Sequence, residues 1–124
     1  MNRNDRNARV SSTFTIKMLF GLFGKLTAHE GKRDALLEKM MKAADLMKSV
    51  PGCLLYVVAT SDTETNAVYI TELWKDEDSH GASLSMAGVR NLIVETMPLL
   101  AEQPSGTKVK AVGGKGIDRL TSSA

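Results

Sequence analysis

Hydrophobic and polar positions change period several times along this chain, and each change marks an element. From Met18 to Thr27 the segment MLFGLFGKLT is apolar on both faces, the pattern of a strand covered on two sides; Gly21 and Gly24 leave room on it for something to approach closely. The period then lengthens. Gly31 opens a helix with Asp34 as an early acid, and Leu36, Met40, Ala43, Ala44 and Met47 recur at helical spacing to about Lys48. Pro51 and Gly52 stop it, and Cys53 to Thr60, CLLYVVAT, reads as a second strand. The polar SDTETN at 61–66 has hairpin length, so Ala67 to Trp74 returns as a third, antiparallel strand. Asp76 caps a short helix through Leu84, with Glu77 and Asp78 at its positive end. A second helical piece starts near Ser85, carries Val89, Leu92, Ile93 and Thr96, and ends at Pro98. Thr107 to Val112 alternates weakly as a last strand, which Gly113, Gly114 and Gly116 fray into a tail.

The order strand, helix, strand, strand, helix, strand predicts an α+β, ferredoxin-like βαββαβ fold with an antiparallel sheet and helices on one side. The first three strands are apolar on both faces, so the uncovered face needs a lid, and a second copy of the chain is the simplest one. A homodimer is therefore expected. Residues 1–17 form a basic arm with little to bury, 18–116 the domain, and 117–124 a C-terminal tail.

Charge narrows the partners. The formal charge is +2, but Arg3, Arg6, Arg9 and Lys17 against Asp5 place +3 in the arm and leave −1 for the rest. The domain thus lacks the basic face that a nucleic-acid binder needs. Cys53 is the single cysteine, which rules out an intrachain disulfide and a multi-cysteine zinc site and fits a reduced, cytoplasmic setting; following Pro51 and Gly52 at the start of an apolar run, it reads as a buried structural thiol. The run Met18 to Phe23 is short, broken by glycine and stopped by Lys25, so it is neither a signal peptide nor a membrane span, and no membrane partner is expected.

Candidate chemistry gathers between Val68 and Leu84, VYITELWKDEDSHGASL. At period two, Val68, Ile70, Glu72 and Trp74 share a face on which Glu72 is the one charged member. A carboxylate there needs a partner, a rim position or a task. His80 follows the strand end closely, and imidazole in general titrates near neutral pH, the property a general base needs. Glu72 holds its tautomer or serves as the base itself. Trp74 offers a flat apolar surface beside them, and Tyr56, Tyr69 and Ser83 are further polar contacts, Ser83 lying one helical turn from His80. Each has a plainer role as well: Trp74 as a core or interface aromatic, His80 satisfying a local hydrogen bond, Met40, Met41 and Met47 as filler. His29 and His80 are the only histidines, too few for a convincing metal site, and no dinucleotide fingerprint is present, so neither metal nor cofactor is expected.

Over roughly residues 18–116 the chain resembles the antibiotic biosynthesis monooxygenase superfamily, specifically its small quinol-monooxygenase-like members. The carriers are the opening strand FGLFGKLTAHEGKRDAL, the PGCLLYVV strand and above all YITELWKDEDSHGASLSMAGVRNLIVETMPLL, with its glutamate-x-tryptophan strand end, histidine before ASL and helix ending in proline-leucine. The resemblance implies a dimeric α+β barrel with a pocket between sheet and helices in each subunit, and oxygen chemistry without flavin, haem or metal. A small aromatic quinol or anthrone-like phenol would then react with molecular oxygen as its anion, with His80 taking the proton. Two rivals stand beside this reading. Haem-degrading relatives use a first-strand asparagine, absent between Met18 and Thr27, and a longer tryptophan-to-histidine gap. A non-catalytic dimeric barrel that binds a small aromatic ligand would share the fold without the chemistry.

Overall fold

A computed structural model describes residues 18–122; the arm expected at 1–17 lies outside them. The chain runs β1 (Leu19–Thr27), α1 (Arg33–Met47), β2 (Cys53–Thr60), β3 (Ala67–Trp74), α2 (Glu77–Ser83), α3 (Ala87–Thr96) continuing into a 3-10 turn (Met97–Leu99), β4 (Ser105–Ala111) and α4 (Ile117–Ser122). The strands form one antiparallel sheet in the order β2-β3-β1-β4. This is the ferredoxin-like arrangement, with the sheet left open.

Register decides which side chains meet the helices. Phe20 pairs with Trp74, Leu22 with Glu72, Gly24 with Ile70 and Leu26 with Val68, while Tyr56 and Val58 of β2 continue the Glu72 and Ile70 rows. Strand alternation turns all of these to one side, where α1 sets Leu36, Met40 and Met47 onto them. Two core clusters result. Ala28, Leu36, Met40, Val68 and Ile70 pack at one end of the sheet, and Phe20, Met47, Trp74 and Val89 at the other. Helix α1 lies on β2 and β3, whereas α3 packs chiefly on α1. The helix side of β1 and β4 is therefore only loosely covered. Among the described residues no helix is long and apolar enough to cross a membrane.

Several boundaries differ from the pattern reading. Gly31 does not open α1: it turns the chain at φ 79°, Lys32 N–H donates to the His29 carbonyl at 2.9 Å, and the helix starts at Arg33. Pro98 does not end the second helical piece abruptly, because its missing N–H costs nothing near the start of a 3-10 turn. That turn is pinned to the end of β1, with Ala101 N–H donating to the Thr27 carbonyl at 2.8 Å and Leu100 bridging Ala28. Strand β4 begins at Ser105, because that residue already pairs with Lys25. The segment after the glycines is not all tail. Gly114 and Gly116, at φ 133° and 97°, redirect the chain into α4, which touches β2.

The face away from the helices is less bare than the pattern suggests. Leu19 and Leu73 are buried, and Leu73 and Val109 fill the space over Gly21, where a Cβ would lie 2.6 Å from Val109 Cγ2. What stays open is a central row in which exposed Phe23 and Val57 flank Thr71.

Candidate functional site

The loose packing over β1 and β4 leaves a cavity of about 350 Å³ between the sheet, α1, α2 and α3, a size in the range of small-ligand sites. Its wall is mostly apolar, with Leu22, Ile70, Met40 and Leu92 among its members, and its polar atoms come from few residues.

Glu72 reaches the cavity because the register places it between Leu22 and Tyr56 on the helix side. Trp74, two residues on and on the same face, donates its indole N–H to Glu72 Oε1 at 2.9 Å. The tryptophan is thus both core and the fixture of the carboxylate. His80 is delivered by α2. Asp76 Oδ1 accepts from Ser79 N–H at 2.8 Å and caps the helix. The Lys75 amide donates to the Gly52 carbonyl at 3.0 Å, and Gly52 has no Cβ to hold Ser79 away: one added there would lie 2.6 Å from Ser79 Cβ. This contact seats α2 against the start of β2. The imidazole then stacks tilted on Phe20 at 5.5 Å and edge-on to Trp74 at 5.3 Å, with Nε2 3.9 Å from Glu72 Oε1. That separation exceeds a hydrogen bond, so the pair interacts by charge, and strongly only once the imidazole carries a proton.

Burial raises the Glu72 pKa above the usual glutamate range, partly offset by the Trp74 hydrogen bond and the nearby His80. Burial, with the Glu72 charge adding, holds the Tyr56 hydroxyl well above its ordinary pKa, so it stays a neutral donor. The same two causes push the Cys53 thiol up to about 11, as suits an inert structural cysteine.

Five of the six residues singled out from the sequence line this cavity: Glu72, Trp74, His80, Tyr56 and Ser83. Ser83 is there with its proton committed, since its hydroxyl donates to the His80 carbonyl at 2.6 Å and locks the turn that carries the imidazole. Tyr69 is a correction. It sits on the opposite face, pairs with Lys25 and donates to Glu64 Oε1 at 2.9 Å, so it does not reach the cavity. His29 is exposed at the turn before α1. Among the described residues no three His, Cys, Asp or Glu side chains gather as a metal site. The sequence reading missed Thr96 and Gly106, which also line the cavity; Thr96 was legible as a member of the α3 buried stripe, but Gly106 needs the β1–β4 register to be placed.

Comparison with known proteins places the fold in a family. Residues 20–93 match the family model for antibiotic biosynthesis monooxygenase. A solved structure from Chloroflexus aurantiacus J-10-fl that carries that family name is 42% identical, with 80% of this chain and 98% of that one covered and a TM-score of 0.67. Structures given the same name from Deinococcus radiodurans (23% identity, covering 77% and 94%, TM-score 0.69) and Caulobacter crescentus CB15 (24%, 79% and 93%, 0.69) share the fold. Comparison with curated proteins found no match. The chain, with this fold and this cavity, belongs to the antibiotic biosynthesis monooxygenase family.

Proposed function

We propose that this protein is a cytoplasmic, homodimeric, cofactor-independent monooxygenase that oxidises a small aromatic quinol or anthrone-like phenol with molecular oxygen. The observation that carries the reading is His80 and Glu72 facing each other at 3.9 Å on the wall of an apolar cavity. His80 takes the phenolic proton, and Glu72, held by the Trp74 indole, stabilises the imidazolium that forms. In a water-poor site this attraction is worth more than in bulk water. The phenolate is the electron donor. Tyr56, kept protonated by burial, donates a hydrogen bond to a substrate oxygen, and Trp74 with Leu22 and Leu92 excludes water from the reactive anion.

For a quinol the balance is complete. Four electrons pass to dioxygen, one oxygen atom remains on the ring as a hydroxyl, and the other leaves as water with two of the substrate's hydrogens, giving a hydroxyquinone. The second copy of the chain covers the Phe23–Thr71–Val57 row and stiffens the sheet beneath the cavity. Turnover under ¹⁸O₂ tests the reaction: one labelled atom per product molecule, formed faster than in a protein-free blank, supports it. Unlabelled quinone with hydrogen peroxide, or product only at the blank rate, refutes it.

A further inference from the structure

Gly24 and Gly106 lie side by side on β1 and β4, on the helix side of the sheet, and both line the cavity. Neither needs to be glycine for its backbone, since the glycines with positive φ are Gly31, Gly114 and Gly116. Neither is forced by its neighbours. A Cβ at Gly106 would sit 3.6 Å from Leu22 Cδ1 and from the Phe23 carbonyl, and one at Gly24 would sit 3.7 Å from the Ser105 carbonyl, all ordinary contacts. Gly21 shows the contrast, because Val109 and Leu73 occupy its space from the other face. The room over the Gly24–Gly106 pair is left to the cavity instead.

The same cavity holds an unpaired polar group. Thr96 is 5% exposed, and its Oγ1 is the one buried side-chain polar atom among the described residues without a hydrogen-bond partner. Its place is set by the helix. Val89 belongs to the core cluster of Phe20, Met47 and Trp74, and Thr96 follows seven residues later on the same buried stripe, hence about 10 Å farther along α3. Trp74, Glu72 and His80 therefore mark one end of the slot and Thr96 the other, with the glycine pair on the sheet side. Rotation about χ1 exchanges the threonine hydroxyl and methyl, and helical threonine uses more than one rotamer, so the hydroxyl can turn to an incoming oxygen.

We propose that the Gly24–Gly106 pair is a bare backbone ledge on which a flat ring system lies, and that Thr96 hydrogen-bonds a second ligand oxygen at the end away from Glu72 and His80. The ligand class is thus a planar aromatic bearing oxygen at both ends. The inference rests on the cavity being the ligand site, as proposed above, and does not require that oxygen be consumed.

Anaerobic titration with 1-naphthol and with 1,4-dihydroxynaphthalene, followed by quenching of Trp74, the chain's single tryptophan, tests it. Gly24→Ala and Gly106→Ala should fold with unchanged or higher melting temperature and bind both compounds at least about tenfold more weakly, since one added carbon fills the slot. Thr96→Val should bind 1-naphthol like the wild type and lose between about two- and tenfold on the diol, the share of one hydrogen bond. Alanine variants that bind like the wild type overturn the ledge. A Thr96→Val variant that treats both compounds alike, or that loses thermal stability with binding intact, overturns the anchor and assigns the hydroxyl to the helix. A wild type that binds neither compound overturns the whole proposal. Binding with the expected pattern but no oxygen uptake would refute the oxygenase reading and leave this inference standing.

Discussion

Glu72 is under opposed pressures, burial that favours its protonated form against the Trp74 hydrogen bond and the nearby His80 that favour its charge, and burial is the larger. Its pKa in the fold is thus above the ordinary 4.5. The proton's contribution to stability is fully present below that ordinary value and is lost as pH rises through the raised one, so at neutral pH the buried charge is a standing cost. Glu72→Gln keeps an acceptor for the indole N–H and removes the charge. It should melt higher than the wild type at about pH 7, with the difference shrinking toward zero near about pH 4; a difference independent of pH would contradict this assignment. The residue scale was largely legible, because the alternation of Val68, Ile70, Glu72 and Trp74 and the Asp76 cap together aim Glu72 and His80 at one place. The same alternation puts Tyr69 on the other face, and the structure follows the alternation. Thr96 was legible only as a buried position, since a sequence does not show which hydroxyl lacks a partner.

Helix α2 is too short to be stable alone, so its capping and docking decide where His80 sits. Gly52→Ala places a Cβ 2.6 Å from Ser79 Cβ and must push α2 outward. The expected cost is about 1–3 kcal/mol of stability, with a fall in turnover larger than any change in ligand affinity, because the base moves while the slot remains. Chemical denaturation and steady-state kinetics on one preparation check this; full activity in a stable Gly52→Ala protein would mean that α2 is not held by this contact. Asp76→Ala should cost about 1 kcal/mol by loss of the cap. Elements with long periodic patterns, such as β3 and α1, were readable to within a few residues. The ends set by tertiary contact were not: β4 starts where Lys25 offers a partner, the 3-10 turn persists through Pro98 because β1 holds it, and α4 hides behind three glycines in a six-residue segment.

For the whole molecule, the pattern reading delivered the βαββαβ order and the helix side of the sheet but overstated the open face, because the filling of Gly21 by Leu73 and Val109 is invisible without register. The remaining Phe23–Val57 row is where a second copy is expected. Sedimentation at low micromolar concentration should give twice the 13.4 kDa chain mass, and Phe23→Glu should give the monomer, since a buried unpaired carboxylate is strongly disfavoured; a wild-type monomer would refute the dimer. In the proposed reaction His80 serves as the base in oxidation of a bound phenol by dioxygen. Its most direct test is the oxygen uptake of metal-free protein with 1,4-dihydroxynaphthalene, wild type against His80→Ala, corrected for autoxidation. Uptake well above the blank is expected for the wild type, with a fall of about 10²–10⁴ in the variant. Uptake equal to the blank, or equal in both proteins, would contradict it.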